Sequence, residues 1–237
     1  MATRQHSHTR GERGAANTEA VEDYAKAIYA LARRGAGPVG TSALAERLGV
    51  SPGTVTAMLK RMADMGLVEH RPYHGVALSA AGERVALEVI RHHRLIESYL
   101  ADALGMPWDK IHDEAEVLEH YISEDLEERI AAALGDPSHD PHGDPIPDRE
   151  LALADDGSVE LLALERGDVA IFTRVSDSDP EMLRYLDDRG IRPGAEVSVR
   201  DAEPFGGALM IVVDGEAHAI GAELARRMLV ARRPDPH

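Results

Sequence analysis

From Thr18 onward the apolar side chains Val21, Tyr24, Ala25, Ile28 and Leu31 recur every third or fourth residue, which marks one face of a helix. Glycine and proline in RRGAGPVG end that pattern. A short helix from Thr41 to Leu48, a tight GVSPG corner and a second helix from Pro52 to about Met65, closed by Gly66, come next. LVEHRPYHGVALS then alternates about a turn, as a two-stranded hairpin does. Two long helical patterns, at about 81–104 and 109–134, flank GMPW. The segment GDPSHDPHGDPIPD, residues 135–148, cannot continue a helix and marks a boundary. Beyond it, LLALERGDVAIFTRV, AEVSVRDA and ALMIVVDGEAHAIG read as short strands around one helix at DPEMLRYLDDRG, a small β-barrel. Residues 1–17 carry no apolar period and are expected to form a disordered leader.

The pattern therefore predicts a mainly α chain with a small β part. Its expected divisions are a leader (1–17), a winged helix-turn-helix domain (18–80), a helical metal-binding and dimer-forming domain (81–135), a Pro-rich tether (136–156) and a β domain (157–233). A hydrophobic content of 43% over 237 residues is ample for packed cores. No apolar run approaches the roughly 20 residues that span a bilayer, and the Arg- and His-bearing first residues do not read as a signal peptide. A cytoplasmic chain is expected. With no Cys, any metal must be held by nitrogen and oxygen. The net charge of −16 argues against nucleic acid until its distribution is considered. Residues 1–80 hold ten basic and seven acidic side chains (+3), 81–145 hold five and sixteen (−11), and 146–237 hold eleven and nineteen (−8). Only the first third is electrostatically suited to DNA.

Two short helices joined by GVSPGTV and followed by a hairpin make a helix-turn-helix with a wing, whose second helix enters the major groove N-terminus first. The residues presented there are Ser51, Pro52, Gly53, Thr54, Thr56 and Ala57, small groups with hydroxyls for phosphates or bases and methyls for thymine. Lys60 and Arg61 follow one turn on, in reach of phosphate, and the wing offers Arg71, Tyr73 and His74. Such modules bind palindromes as dimers, and the long helices after the wing are natural dimer-forming elements.

The second chemical signal is polarity inside apolar stripes. On a helical wheel His93 and Glu97 fall within about 40° of each other, among Val89, Leu100 and Leu104. In the next helix His112, Glu116, Glu119 and His120 share an arc of roughly 100° beside Leu118, Ile122, Leu126 and Ile130. Carboxylates crowded on one face repel one another unless a cation sits among them, and His at helical spacing to Glu is a common way to hold one. Asp23 on the opening helix is available as a further donor. His92 is expected to be exposed beside His93, and His139, His142 and Asp144 to serve the turns of the Pro-rich segment. His6 and His8 belong to the leader.

Taken together, EDYAKAIYAL, LAERLGVSPGTVTAMLKRMADMGLV, RHHRLIESYL, IHDEAEVLEH and DPHGDPIP resemble the metal-dependent repressors typified by the diphtheria toxin repressor, specifically their manganese-sensing branch. The resemblance spans nearly the whole chain. It implies a winged helix, a helical dimerisation domain, a tether and a C-terminal SH3-like (FeoA-like) barrel. It also implies a primary, activating site at Asp23, Glu116, Glu119 and His120. An ancillary site is implied at His93, Glu97 and His112, completed by a barrel side chain for which Asp177 is the best match and Asp179 the next. Iron-responding members of the family place Met where Asp23 stands and Cys where Glu116 stands; this chain offers only carboxylate and imidazole. The shorter manganese regulators that lack a barrel have Glu where Lys26 stands, so their closely paired ions are not carried over.

The expected function is a Mn²⁺-responsive repressor with two metal sites per subunit, a homodimer that binds a palindromic double-stranded operator of metal-uptake genes. The alternatives are an Fe²⁺-responsive repressor of the same family, a metal-dependent hydrolase, and a winged-helix regulator that answers to an organic ligand. No Gly-rich phosphate loop favours the hydrolase.

Overall fold

The computed structural model describes residues 9–35, 37–71, 75–154, 157–203 and 207–232, which divide into two compact units, 1–92 and 93–237. His6, His8, Tyr73, His74 and the side chain of Arg71 lie outside the described residues. No helix among those described is long and apolar enough to cross a membrane.

In the first unit α1 (Thr9–Gly35) starts ahead of the expected Thr18, so part of the expected leader is helical. An apolar period marks only the turns that pack; once those hold a helix, propagation into a polar flank needs no buried area of its own. Val21, Tyr24, Ala25 and Ile28 are buried as the spacing predicts. They form one core with Leu44 of α2 (Thr41–Leu48) and with Val55, Leu59 and Met62 of α3 (Pro52–Asp64). Between the two helices Gly49 adopts a left-handed φ of 63°. Ser51 then caps α3, its Oγ accepting from the Thr54 amide at 3.1 Å, with Pro52 in the first turn. The wing is β1 (Val68–Arg71) antiparallel to β2 (Gly75–Leu78), with Val68 opposite Leu78. Reciprocal backbone bonds of 2.8 and 2.9 Å between Val39 and Val76 tie the wing to the chain entering α2.

The chain continues through α4 (Ala80–Asp102), and the second unit begins within it at His93. The expected helix over 109–134 is instead two: α5 (Ile111–Leu118) and α6 (Glu124–Ala133). The break falls where Ser123 can cap, its Oγ accepting from the Leu126 amide, ahead of Glu124, Asp125 and Glu127, which suit the positive end of a helix. A wheel drawn through the break fails: Leu118 and Leu126 are exposed and only Ile130 of the expected stripe is buried. Leu104 is exposed for a similar reason, because α4 stops at Asp102.

The β part is a six-stranded antiparallel sheet with the order β3-β8-β4-β5-β6-β7. Its strands are β3 (Val159–Glu160), β4 (Val169–Val175), β5 (Glu196–Ala202), β6 (Leu209–Val213), β7 (Glu216–Ile220) and β8 (Met228–Arg232). Helix α7 (Pro180–Asp187) follows β4, and α8 (Ala222–Arg227) precedes β8. One core joins Phe172, Leu183, Leu186, Val197 and Ile211 of this part to Ile96, Leu100, Trp108 and Ile111. The Pro-rich segment is not slack chain between these layers. It is pinned to β4 by the Val175 amide, which donates to the His142 carbonyl at 3.0 Å, and it buries Pro145, Ile146 and Pro147. Gly143 makes this possible: its φ is 88°, and a Cβ there would lie 1.8 Å from the Thr173 carbonyl oxygen.

Candidate metal centre

Helix α4 carries Leu95, Ile96 and Leu100 into apolar cores, and between them places Glu97, whose side chain is entirely buried. A carboxylate there is tenable only with cationic or hydrogen-bonding partners. His93, one turn earlier, puts Nε2 3.0 Å from Glu97 Oε1. His112, on the first turn of α5, puts Nδ1 3.4 Å from the same oxygen and 3.1 Å from Asp177 Oδ2 in the loop after β4. Asp179 does not share this role, since its carboxylate caps α7 by accepting from the Glu181 and Met182 amides. The electrostatics follow from the packing. Burial alone would raise the Glu97 pKa, but the three imidazoles around it hold the carboxyl well below its usual range. Burial alone would lower that of His112, but Asp177 and Glu97 push it up to about 10. Asp177, despite its burial, is drawn down to about 2 by His112.

The other ring nitrogen of His93 faces Glu119, a buried carboxylate just past the end of α5, with which it makes a short contact. Glu116 lies to the side, Oε1 3.9 Å from His93 Nδ1 and 3.7 Å from His112 Nε2. His120 Nε2 stands 3.7 Å from Glu119 Oε1. Asp23 is half-buried on α1, in the first unit. One imidazole, His93, thus separates a cluster at Glu97 from a cluster at Glu119. His93, Glu97, His112 and Asp177 each offer a ligand atom within 4.8 Å of the others, and so do His93, Glu116 and Glu119.

Sequence reasoning passed over a further histidine. His142, expected to serve a turn, is fully buried with Nδ1 3.7 Å from Glu97 Oε2. That is too long for a hydrogen bond, and both atoms are buried without a hydrogen-bond partner. Two facing nitrogen and oxygen donors left so in a closed interior suit a cation between them. Burial alone would lower the His142 pKa, but Glu97 raises it to about 9. Asp140, also buried, spends Oδ1 on the His142 and Asp144 amides, both at 2.9 Å, and meets Arg94 at 3.6 Å. Its pKa is raised well above the usual value, by burial first and then by the charges of Asp144 and Glu97. Glu97, Asp140 and His142 form a third group of potential ligands within 4.8 Å of one another. The cue in the sequence was proline on both sides of His142 in DPHGDP, which stiffens the backbone and makes a fixed side chain possible. His92, expected to be exposed, is buried; it lies on the helix face next to His93, which the packing also covers.

In the first unit α3 buries Val55, Leu59 and Met62 and leaves Ser51, Pro52, Gly53, Thr54, Thr56, Ala57 and Lys60 exposed, with Arg61 half-buried. Part of the expected hydroxyl chemistry is committed within the helix. Ser51 Oγ lies 2.8 Å from Thr54 Oγ1, and Thr56 donates to the Pro52 carbonyl at 2.9 Å.

A winged helix-turn-helix, a helical layer with buried carboxylates and imidazoles, and a small antiparallel β domain define a metal-responsive DNA-binding regulator. Comparison with known proteins agrees segment by segment. Residues 17–76 match the N-terminal DNA-binding domain of iron-dependent repressors, 79–148 their metal-binding and dimerisation domain, and 159–232 the FeoA domain. The iron-dependent repressor IdeR of Mycobacterium tuberculosis is 34% identical over 226 residues, covering 90% of this chain and 97% of its own. The diphtheria toxin repressor of Corynebacterium diphtheriae is 31% identical over 230 residues, covering 86% and 97%. Among solved structures, a manganese-dependent transcriptional repressor in complex with manganese is 38% identical with a TM-score of 0.84, covering 90% of this chain and all of that one. ScaR with bound Zn²⁺ is 30% identical with a TM-score of 0.76, covering 90% and 99%. The chain belongs to the diphtheria toxin repressor family of metal-dependent, DNA-binding transcriptional repressors, which are not enzymes.

Proposed function

We propose that this repressor responds to manganese, with two ions per subunit. One would be held by Asp23, Glu116, Glu119 and His120, and the other by His93, Glu97, His112 and Asp177, with His142 adjoining. The observation that carries the reading is the donor chemistry. The side chains that offer ligand atoms around Glu97, namely His93, His112, Asp177, Asp140 and His142, are all carboxylates or imidazoles, in a chain without Cys. Hard oxygen donors suit Mn²⁺, although general affinity rises from Mn²⁺ to Fe²⁺ and beyond, so an iron-selective response is the competing outcome. The manganese-dependent repressor at 38% identity supports the first, and the iron-dependent relatives keep the second in view.

A divalent ion, when bound, supplies positive charge among side chains that otherwise repel one another. Glu116 is on α5 and Glu119 and His120 follow its end, while Asp23 is on α1 of the DNA-reading unit. Its grouping with them rests on the family pattern of the sequence. A second copy of the chain would cover Val117, Leu118, Tyr121 and Leu126, four apolar side chains exposed together around that turn. The paired α3 helices would then read the two halves of a palindromic operator about one DNA turn apart. Repression of metal-uptake genes would be the output.

The test is operator binding across Mn²⁺, Fe²⁺, Zn²⁺ and Co²⁺, with and without chelator. Mn²⁺ should tighten binding by about 10²-fold, the size of a coupling of a few kcal/mol. By reciprocity the operator should tighten Mn²⁺ binding by the same factor. Chelator-insensitive binding would overturn the metal response, and a response to Fe²⁺ alone would overturn the choice of manganese.

A further inference from the structure

We propose that Arg192 and Trp108 are positioning residues for the metal centre at Glu97: they hold the His142 ring in one orientation, with Nδ1 turned to Glu97, and so tie the centre to the docking of the β domain. The inference rests on the reading that Glu97 and its imidazoles take a divalent ion.

Trp108 is the chain's single tryptophan, in the turn between α4 and α5, and it is buried. Its indole stacks on the His142 ring, with centroids 5.7 Å apart and planes inclined by 22°. His142 Nε2 lies 2.8 Å from the Trp108 carbonyl oxygen. A carbonyl only accepts, so Nε2 must carry the hydrogen and donate it. That leaves Nδ1 as the nitrogen on the Glu97 side, 3.7 Å from a carboxylate oxygen. Metal-bound imidazoles are oriented in this manner, by a hydrogen bond from the ring nitrogen that does not touch the ion.

The turn that supplies the carbonyl is gripped by the β domain. The Arg192 guanidinium lies over the indole, 4.4 Å from its centroid, and is paired with Asp187 at the end of α7. Arg184, within α7, reaches Asp109 beside Trp108 at 3.0 Å. His142 is gripped too, since its carbonyl accepts from Val175 of β4 and its amide donates to Asp140. Loss of the Arg192 contact frees the indole, and with it the carbonyl that fixes the imidazole. None of these groups needs to touch the ion.

The full-length metal-free protein, labelled with ¹⁵N at histidine and assigned with a His142→Gln variant, should show a slowly exchanging Nε2 hydrogen on His142. In Arg192→Ala, which removes a side chain that is about half exposed, that hydrogen should exchange faster. Calorimetric titration with Mn²⁺ alone should then show the affinity of one of two ions falling by about 10-fold or more, the usual size of an outer-sphere loss, while the other is unchanged. Trp108→Phe keeps the carbonyl and an aromatic face, and should retain the affinity that Trp108→Ala loses. An Arg192→Ala protein that binds both ions as the parent does overturns the proposal alone. So does one that loses both equally with a lowered Tm, which would mark general loosening. A parent protein that takes up no ion at Glu97 overturns the functional reading beneath it.

Discussion

Helices α3 and α4 treat polarity in opposite ways. The first buries Val55, Leu59 and Met62 and turns its hydroxyls and Lys60 to solvent; the second carries His93, Glu97 and Ser98 inward among Leu95, Ile96 and Leu100. A polar group left in water costs nothing in the folded state and is available to a partner, whereas one taken inside must find its counter-charge there. The outward face therefore suits an external ligand such as DNA, and the inward face an ion enclosed by the protein. The largest effect that would separate them comes from Glu97→Ala. Removing the carboxylate on which His93, His112 and His142 converge should weaken one Mn²⁺ site by more than about 100-fold, beyond the loss of an outer-sphere partner. Calorimetry reads this directly. The isolated contacts of α3 should be untouched, so residual metal-independent affinity for non-specific DNA should stay as it was.

Backbone as well as charge holds the inward cluster together. Gly143→Ala sets a methyl group on the Thr173 carbonyl and demands a left-handed φ of an L-residue, so the 138–146 strap must lift from β4. We expect a loss of roughly 2–4 kcal/mol in urea unfolding, the range of a strained or overpacked site. An unchanged midpoint would mean that the strap does not set the position of His142. The inward cluster should also be the pH-sensitive part of the metal-free protein. Folding raises His112 to about 10 and His142 to about 9, from an ordinary 6.5. A histidine raised by folding contributes stability that is whole below about pH 6.5 and drains away as pH climbs through the folded value. Asp177, drawn down to about 2, contributes above its ordinary 3.8 and loses that contribution as pH falls towards 2. The Tm of the chelated protein should therefore be highest at about pH 4–6 and fall towards pH 10. Mn²⁺ must displace the histidine protons, so its affinity should move the other way and improve as pH rises.

How far the sequence disclosed these two helices differs for a physical reason. The element types of α3, the wing and α4 follow from local signals: Ser51 and Pro52 at a helix start, Gly66 at its end, and an apolar period short enough not to drift. The polarity of His93 and Glu97 inside an apolar stripe was visible on the same grounds. The failures came where position depends on contacts distant in sequence. Leu126 was placed in the apolar stripe by extending a wheel through residues 119–123, where Ser123 begins a new helix, and it is exposed. His142 was read as turn chemistry because nothing local says that Val175 and Trp108 will take its backbone and its ring. Asp177 and Asp179 look alike in VSDSDPEML, and only the start of α7 distinguishes the cap from the residue that meets His112. Spacing along one helix was legible, and the family resemblance had already named His93, Glu97, His112 and Asp177 together; the approach of His142 to the same carboxylate was not legible.

The smallest effect belongs to the outward face, and it is the sharpest check that α3 reads DNA. Lys60 is exposed on α3 one turn beyond Thr56, on a stretch whose net charge is positive in an otherwise acidic chain. If it meets a phosphate, Lys60→Ala should weaken specific and non-specific duplexes alike, because a phosphate carries no sequence information. The logarithmic dependence of affinity on salt should flatten by about two units for the dimer, one fewer counterion being released per subunit. Thermal stability should stay within about 0.5 kcal/mol of the parent, as for most exposed substitutions. Fluorescence anisotropy with labelled operator and scrambled duplex at several salt concentrations gives both slope and specificity. A loss confined to the operator, with the slope unchanged, would place Lys60 on a base edge instead and move the reading surface of α3 one turn towards its C-terminus.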